Sequence, residues 1–476
     1  MSDHPDSVLA VHEHIDINFD RHLEATRAML RQRSISADGT GIEEMALMLS
    51  DWLTRLGGES QVVATPGNPV VFGRFDVGAP QTLMIYGMYD TMPVEGEQWL
   101  CDPFEGAILD LPDVGRSIVA RGSENSKGPL AAFLNVLESW QAVHGTLPVN
   151  IKIVVEGEEE LGSPSLPAFV RDNASELAAD HGMYPYMNQT RSGKPIFRLG
   201  FKGILFLELR VRGGAWGGPV DRAAHSSTAV WFDSPTILMV HALASLFSQD
   251  QRRILIDGFY DNVAPISDDD LALLEKLADT FDAAEVLAQE GIHKFKWDLE
   301  GVELLKKYLF EPSLNIAGLI SGDVGPGAKT ILPHDAFAKI GFRLVPNQDP
   351  DRILRLLKEH FQRHGFSQID VHLHDVTHWS RTPVSSVPVQ AAIQATRDFG
   401  LEPEVWPTHA GSAPISLFTD DLGIPMTPMG LGHGGGAHGP NEYITVQGLQ
   451  LCEKSLASFL ARYVEMTAAG LNAEDG

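Results

Sequence analysis

The sequence predicts an α/β fold in two domains, with a smaller α+β domain inserted into a larger one. Three observations predict it. Wholly apolar runs of strand length alternate with helical stretches toward both ends of the chain. Between them lie strands in which apolar and polar residues alternate. The chain has 476 residues, more than one ordinary core holds.

The elements follow in order. Ile15–Gln32 and Ile42–Leu56 carry apolar residues at helical spacing. Val62–Phe75 and Thr82–Tyr86 read as strands, and the apolar run Leu83–Tyr86 ends in Gly87, as a buried parallel strand would. Gly128–His144 reads as a helix entered from the loop Arg121–Lys127. Val149–Val155 is a second buried strand that runs directly into Glu156–Glu160. Two charged clusters thus stand just past strand ends, where open α/β sheets bind ligands. Ile204–Arg212 and Ala336–Leu344 then alternate like half-solvated strands, with helical stretches Thr236–Phe247 and Asp268–Leu287 between them. The α/β style returns: Val389–Phe399 is helical, Gly411–Phe418 opens a helix, and Val446–Met466 is a long amphipathic helix. The expected domains are residues 1–203 with 383–476, and residues 204–382.

Composition narrows the function. A formal net charge of −27 argues against nucleic-acid binding, which needs a basic footprint. A local arginine can still override that field for an anionic substrate. The longest apolar runs are too short to span a membrane, and Met1–Asp6 is polar and acidic, unlike a signal peptide. Cys101 and Cys452 fit no metal-binding spacing and read as unpaired thiols. The expectation is a cytoplasmic chain with neither nucleic acid nor membrane as partner.

Three local patterns carry candidate chemistry. Glu156–Glu160 (EGEEE) clusters carboxylates that must be solvated or neutralised by a cation or a proton. Gly432–Glu442 (GHGGGAHGPNE) joins glycines, which allow close backbone approach, to two histidines. Gly325–Thr330 (GPGAKT) fails the spacing of a phosphate loop and reads as a turn.

In order along the chain, these patterns resemble one family. Tyr86–Val94 (YGMYDTMPV) is similar to YGHYDVQPV, and Arg121–Pro129 (RGSENSKGP) to RGATDNKGP. Glu156–Ser163 (EGEEELGS) is similar to EGMEEAGS, and Ala224–Ser226 (AHS) to LHSG. Gly325–Thr330 with Phe342–Pro350 (FRLVPNQDP) is similar to GPGSKT followed by RLVPNQDP, and Gly436–Glu442 (GAHGPNE) to GAHAPNE. The chain resembles the carnosinase-like branch of the dizinc metallopeptidases, which includes glutamate carboxypeptidases and aminoacylases. The resemblance implies a zinc-peptidase-like catalytic domain with a central mixed sheet, interrupted by a lid and dimerisation domain. It also implies two zinc ions that share a bridging aspartate and activate a water, which a glutamate deprotonates.

Carried over position by position, the family's ligands survive unevenly. The first histidine falls on Met88, the bridging aspartate on Asn125, and a later carboxylate ligand on Tyr186. The catalytic glutamate is present as Glu159, and the ligands Glu160 and His438 remain. Thioether, amide and phenol are poor zinc ligands, so the expectation is at most one zinc or other divalent metal, centred on Glu160 and His438. Asp90 matches the aspartate that orients the absent histidine; it is either a new acid or a backbone acceptor.

Substrate-handling positions fare better. His225 matches a histidine that polarises the scissile carbonyl across a dimer. Arg343 matches the arginine that grips a substrate carboxylate, and Gly411 and Ser412 match a glycine–serine pair near the substrate end. His409 stands where the family has an acidic residue; it and His433 are either parts of a rebuilt site or ordinary loop histidines. The expected activity is hydrolysis of a small carboxylate-bearing amide, a dipeptide or N-acyl amino acid. Glu159, His225 and Asp90 are the candidate catalytic residues, in a homodimer. The alternatives are a metal-free acid–base enzyme (lyase, isomerase or acyl transferase) on a carboxylate substrate, and a non-catalytic binding homologue.

Overall fold

The structure, a computed structural model, describes residues 4–474. The reading of Met1–Asp6 falls partly on residues 1–3, which lie outside the described residues. The chain divides into two compact units. The first comprises Met1–Gly200, Arg381–Thr408 and Pro414–Gly476; the second comprises Phe201–Ser380 and His409–Ala413.

The first unit is built on a six-stranded mixed sheet. Its order is Glu59–Val63, Val70–Phe75, Asn150–Glu156, Thr82–Met88, His181–Pro185 and Met426–Met429. The first three strands pair antiparallel and the remaining junctions are parallel. The apolar runs seen in the sequence lie at its centre, where Leu83, Met84, Ile85, Ile151 and Ile153 are fully buried. The span Val62–Phe75 is a hairpin rather than one strand. Pro66 and Pro69 flank its turn, and the Thr65 hydroxyl donates to the Asn68 carbonyl oxygen at 2.7 Å.

Three helices, His4–Arg31, Lys127–His144 and Val446–Glu474, pack on one another. Buried polar groups join them: Glu453 pairs with His22 at 2.7 Å and accepts from Asn135 Nδ2 at 2.8 Å. Among the described residues, no helix is long and apolar enough to cross a membrane.

Register aligns the functional ends of the parallel strands. Met88 pairs with Glu156, and Pro185 pairs with Met429. The segments that leave these four residues emerge from the carboxyl end of the parallel part of the sheet.

The second unit contains an antiparallel four-stranded sheet, ordered Ser313–Ser321, Asp335–Leu344, Gly203–Arg212 and Asp370–Thr377. Asp335–Leu344 alternates half-buried and buried residues along its whole length, as the sequence pattern predicts. The helices Pro235–Ser245 and Pro350–Arg363 cover one face of the sheet, with Met239, Leu243, Ile353 and Leu357 against Leu207, Leu209 and Ile340. Asp268–Leu287 is two helices, Asp268–Ala278 and Ala283–Gln289. Asp282 starts the second by accepting the Ala284 and Glu285 N–H groups, both at 2.9 Å.

Gly411–Phe418 does not open a helix. The Lys202 N–H donates to the carbonyls of both His409 and Gly411 at 3.0 Å and holds this segment as a loop. Only Leu417–Asp421 forms a helical turn, of the wide π type.

His360, on the helix Pro350–Arg363, is buried. Its Nε2 meets Ser245 Oγ at 3.0 Å, its Nδ1 has no partner among the described residues, and its ring stacks 4.3 Å from His364. Burial first, then the charges of His364 and Arg363, push its pKa down to about 4. The unfolded chain therefore binds this proton more tightly. The stability His360 contributes is full above about pH 6.5 and is lost as pH falls toward 4. Thermal melts of wild type and His360→Leu test this. Between pH 6.5 and 5.0 the wild type should lose about 1.5 kcal/mol more than the variant.

Candidate active site

The segment after Asn150–Glu156 folds into a tight turn, Glu159–Leu161. Asp90 fixes it. Asp90 is fully buried, and its carboxylate accepts the N–H of Glu159 at 3.2 Å and of Glu160 at 3.0 Å. Burial raises its pKa to about 7 against the pull of these donors and of Ser36. The Asp90 carboxylate thus ties the backbone of both glutamates to the strand end.

Glu160 and His438 come together, with their Oε2 and Nε2 atoms 3.2 Å apart. The Glu160 hydrogen bond is the main cause that raises the pKa of His438. Asn125 stands between them, its Nδ2 2.9 Å from Glu160 Oε1 and 2.9 Å from His438 Nε2. One amide nitrogen has two hydrogens and can serve both acceptors while Nε2 is unprotonated. A proton on Nε2 would make it a donor to Glu160 and require the amide to turn.

Tyr186 follows the strand His181–Pro185, and its phenol bonds to the carboxyl of Glu124. Burial raises the pKa of both groups, and each raises or offsets the other's shift through that bond. Glu124 Oε2 is buried with no partner among the described residues. Sequence reasoning assigned Glu124 no role, although a signal was present. In RGSENSKGP the carboxylate stands one position before the amide that replaces the family's aspartate.

Glu442 organises this loop. It is buried, pairs with buried Arg121 at 3.1 Å, and accepts the N–H groups of Gly122, Glu124 and Asn125 at 2.9–3.0 Å. Arg121 also reaches Glu97 at 2.8 Å and lies 5.1 Å from the Trp99 ring. Lys127, fully buried, donates to the Gln32 carbonyl at 2.7 Å, and burial pushes its pKa down to about 7.

The glycines of the last segment serve close packing. A Cβ at Gly434 would stand 2.6 Å from Glu124 Cγ, and one at Gly430 would stand 2.4 Å from the Tyr186 carbonyl oxygen. His433 is a brace: its ring nitrogens meet the Gln189 carbonyl and the Tyr443 hydroxyl, each at 3.0 Å.

Within the second unit, Arg343 Nη1 donates to Ser412 Oγ at 2.6 Å, and Ser412 donates to the Lys202 carbonyl at 2.6 Å. His409 Nδ1 accepts the Gly411 N–H at 3.2 Å, and its ring stands edge-on to Phe201. These contacts bring Arg343, Ser412, Gly411 and His409 into one neighbourhood. His225 is held elsewhere in that unit, by Ser227 at 2.8 Å and Thr330 at 3.0 Å.

Comparison with known proteins identifies the lineage. The model of peptidase family M20/M25/M40 matches residues 84–462. The chain belongs to that family. A solved M20 family metallo-carboxypeptidase, Sso-CP2 from Sulfolobus solfataricus, is 34% identical, with a TM-score of 0.84 over 93% of this chain and 99% of its own. The Cys-Gly metallodipeptidase DUG1 of Saccharomyces cerevisiae is 28% identical over 86% of each chain. The Beta-Ala-His dipeptidase of Rattus norvegicus is 27% identical over 78% of this chain and 75% of its own. Membership makes the chain a hydrolase on the family's scaffold.

The relatives' names imply a metal, and the donors present here do not fit a two-metal centre. Among the described residues, no three His, Cys, Asp or Glu side chains form a set that could hold an ion. Glu160 and His438 are the ligand types that meet, and Asn125 engages an acceptor atom of each. Met88 offers a buried thioether, and Tyr186 a half-buried phenol bonded to Glu124.

Asn125→Asp tests this electrostatic account. A carboxylate at this position removes the competing donor and adds an anionic ligand. Zinc titration by calorimetry should show affinity raised at least tenfold over wild type. Equal weak binding by both proteins would show that Asn125 does not limit metal binding.

Proposed function

We propose that this chain hydrolyses small amides bearing a free carboxylate, of the dipeptide or N-acyl amino acid type. The observation that carries this reading is the Glu159–Glu160 turn, held by Asp90 at the carboxyl end of the parallel strands. The names of the relatives, which specify Cys-Gly and beta-Ala-His as their substrates, support the same substrate class.

Glu159 acts as general base and takes a proton from water as the oxygen adds to the amide carbonyl. The protonated Glu159 then gives that proton to the leaving nitrogen as the C–N bond breaks. His225 is the partner of the developing oxyanion, and Arg343, steadied by Ser412, anchors the substrate carboxylate. Asp90 positions Glu159 without touching substrate. Residues 1–203 with 383–476 form the catalytic domain, and residues 204–382 the lid and dimerisation domain. The chain is a homodimer in which His225 serves the partner's substrate. The metal content is at most one ion, at Glu160 and His438, and the steps above use only the chain's own groups.

A second reading has one specific observation in its favour. Glu124 is buried, has a raised pKa and faces Tyr186, which suits metal-free acid–base chemistry on a carboxylate substrate.

Kinetics on a panel of dipeptides and N-acyl amino acids separates the two. In the first reading Glu159→Gln lowers kcat at least a hundredfold with melting temperature unchanged, and Arg343→Gln raises KM at least tenfold. A loss of that size in Glu124→Gln, with Glu159→Gln active, moves the chemistry to the Glu124–Tyr186 pair. Ligand binding without turnover by wild type overturns both. Light scattering tests the dimer: a strict monomer removes the role of His225 across subunits.

A further inference from the structure

The second unit contains a cavity of about 250 Å³ beside Arg343. Six cationic side chains line it: Lys202, Arg252, Arg253, Lys296, Lys307 and Arg343. One carboxylate, Glu311, stands among them, and it is paired with Lys307. This concentration occurs in a chain whose net charge is −27.

Lys307 is paired with Glu311, Asp375 acts on Arg343 and Asp250 on Arg252 from a distance, and the direct partners of the other cations are neutral groups. Lys202 is buried and donates to the carbonyls of Tyr308 at 2.7 Å and Glu311 at 2.6 Å. The Trp297 ring takes Lys307 at 4.6 Å and Arg252 at 5.1 Å, and Arg253 lies 4.9 Å from the Tyr260 ring. Arg343 bonds to the neutral hydroxyl of Ser412. Among the described residues, Arg252, Arg253, Lys296 and Arg343 have no carboxylate within ion-pair distance.

Exposed cations on a convex surface need no such explanation, because water solvates them. Here three of the six, Lys202, Lys307 and Arg343, are buried or half-buried. The pKa of Lys202 is pushed down to about 8 by burial and by the nearby charge of Arg343, against the pull of Glu311. Like charges converging on a concave wall repel one another, and a bound anion relieves that repulsion. Guanidinium groups also match carboxylate and phosphate oxygens in pairs.

We propose that this cavity binds the anionic end of the substrate, with two or more negative charges counting the carboxylate that Arg343 holds. It rests on Arg343 as the carboxylate anchor and narrows the substrate to an amide with an acidic or phosphorylated residue on its carboxylate side.

Calorimetry on the full chain with glutarate, inorganic phosphate and acetate, at constant ionic strength, tests it. At least one dianion should bind tenfold or more tighter than acetate. The variant Arg253→Gln/Lys296→Gln, altered only at exposed side chains, should lose that advantage by about tenfold and keep wild-type affinity for acetate. Preference for glutarate points to a carboxylate group, and preference for phosphate to a phosphoryl group. Equal binding of all three anions, or unchanged dianion binding in the variant, overturns the proposal. Efficient hydrolysis of amides with neutral end residues over acidic ones also overturns it and leaves the hydrolase reading standing. Variant-sensitive dianion binding without any amide turnover removes the hydrolase reading and leaves the anion site.

Discussion

The buried pairing of Arg121 with Glu442 holds the first unit's candidate site in shape. Each side chain is only 1% exposed, so both charges lose most of their hydration. The cost is offset by density of partners. Glu442 accepts three backbone N–H groups besides the guanidinium, and Arg121 has Glu97, the Gly439 carbonyl and the Trp99 ring. The backbone of Glu124 and Asn125 is thereby pinned to the segment that precedes the last helix. Asn125 then meets Glu160 and His438, while Glu124 meets Tyr186.

The replacements at Met88, Asn125 and Tyr186 form one electrostatic solution. A carboxylate cluster at a sheet end needs counter-charge, and a pair of dications would supply it. Among the described residues, hydrogen-bonding groups of the chain stand at each of these carboxylates. Asp90 is met by two backbone N–H groups, Glu156 by the hydroxyls of Tyr86 and Ser163, and Glu158 by the Asn68 N–H. Glu160 is met by Asn125 and His438. Burial raises the pKa of Glu156 well above its ordinary range, which favours its protonated form. A phenol faces Glu124 and an amide faces Glu160.

The sequence made the fold class legible because its strands are either wholly apolar or strictly alternating, and those periods differ. It misjudged continuity where one residue's bond decides it. Asp282 caps a helix in the middle of an apolar pattern, and the Thr65–Asn68 turn splits one apparent strand. The apparent helix at Gly411–Phe418 fails because the Lys202 N–H, some 200 residues away in sequence, takes the His409 and Gly411 carbonyls. In the site, motif position singled out Glu160 and His438, which the fold brings 3.2 Å apart. Glu124 escaped because its contact with Tyr186 is long-range in sequence, and Asp90 stayed ambiguous because backbone acceptors leave no pattern in side chains.

A net charge of −27 leaves room for an anion site, as the sequence already allowed. At physiological salt, exposed charges act over about 8 Å, so a distant acidic surface contributes little inside a cavity. What a ligand meets beside Arg343 is the local set: five cations besides it, one carboxylate, and aromatic faces that orient cations without neutralising them. An acidic exterior adds a second effect, because it disfavours the approach of anions that make no strong local contacts. Selectivity for a multiply charged anion then arises from opposition between the two fields. Only a ligand that engages several of these cations at once gains enough near Arg343 to overcome the repulsion outside.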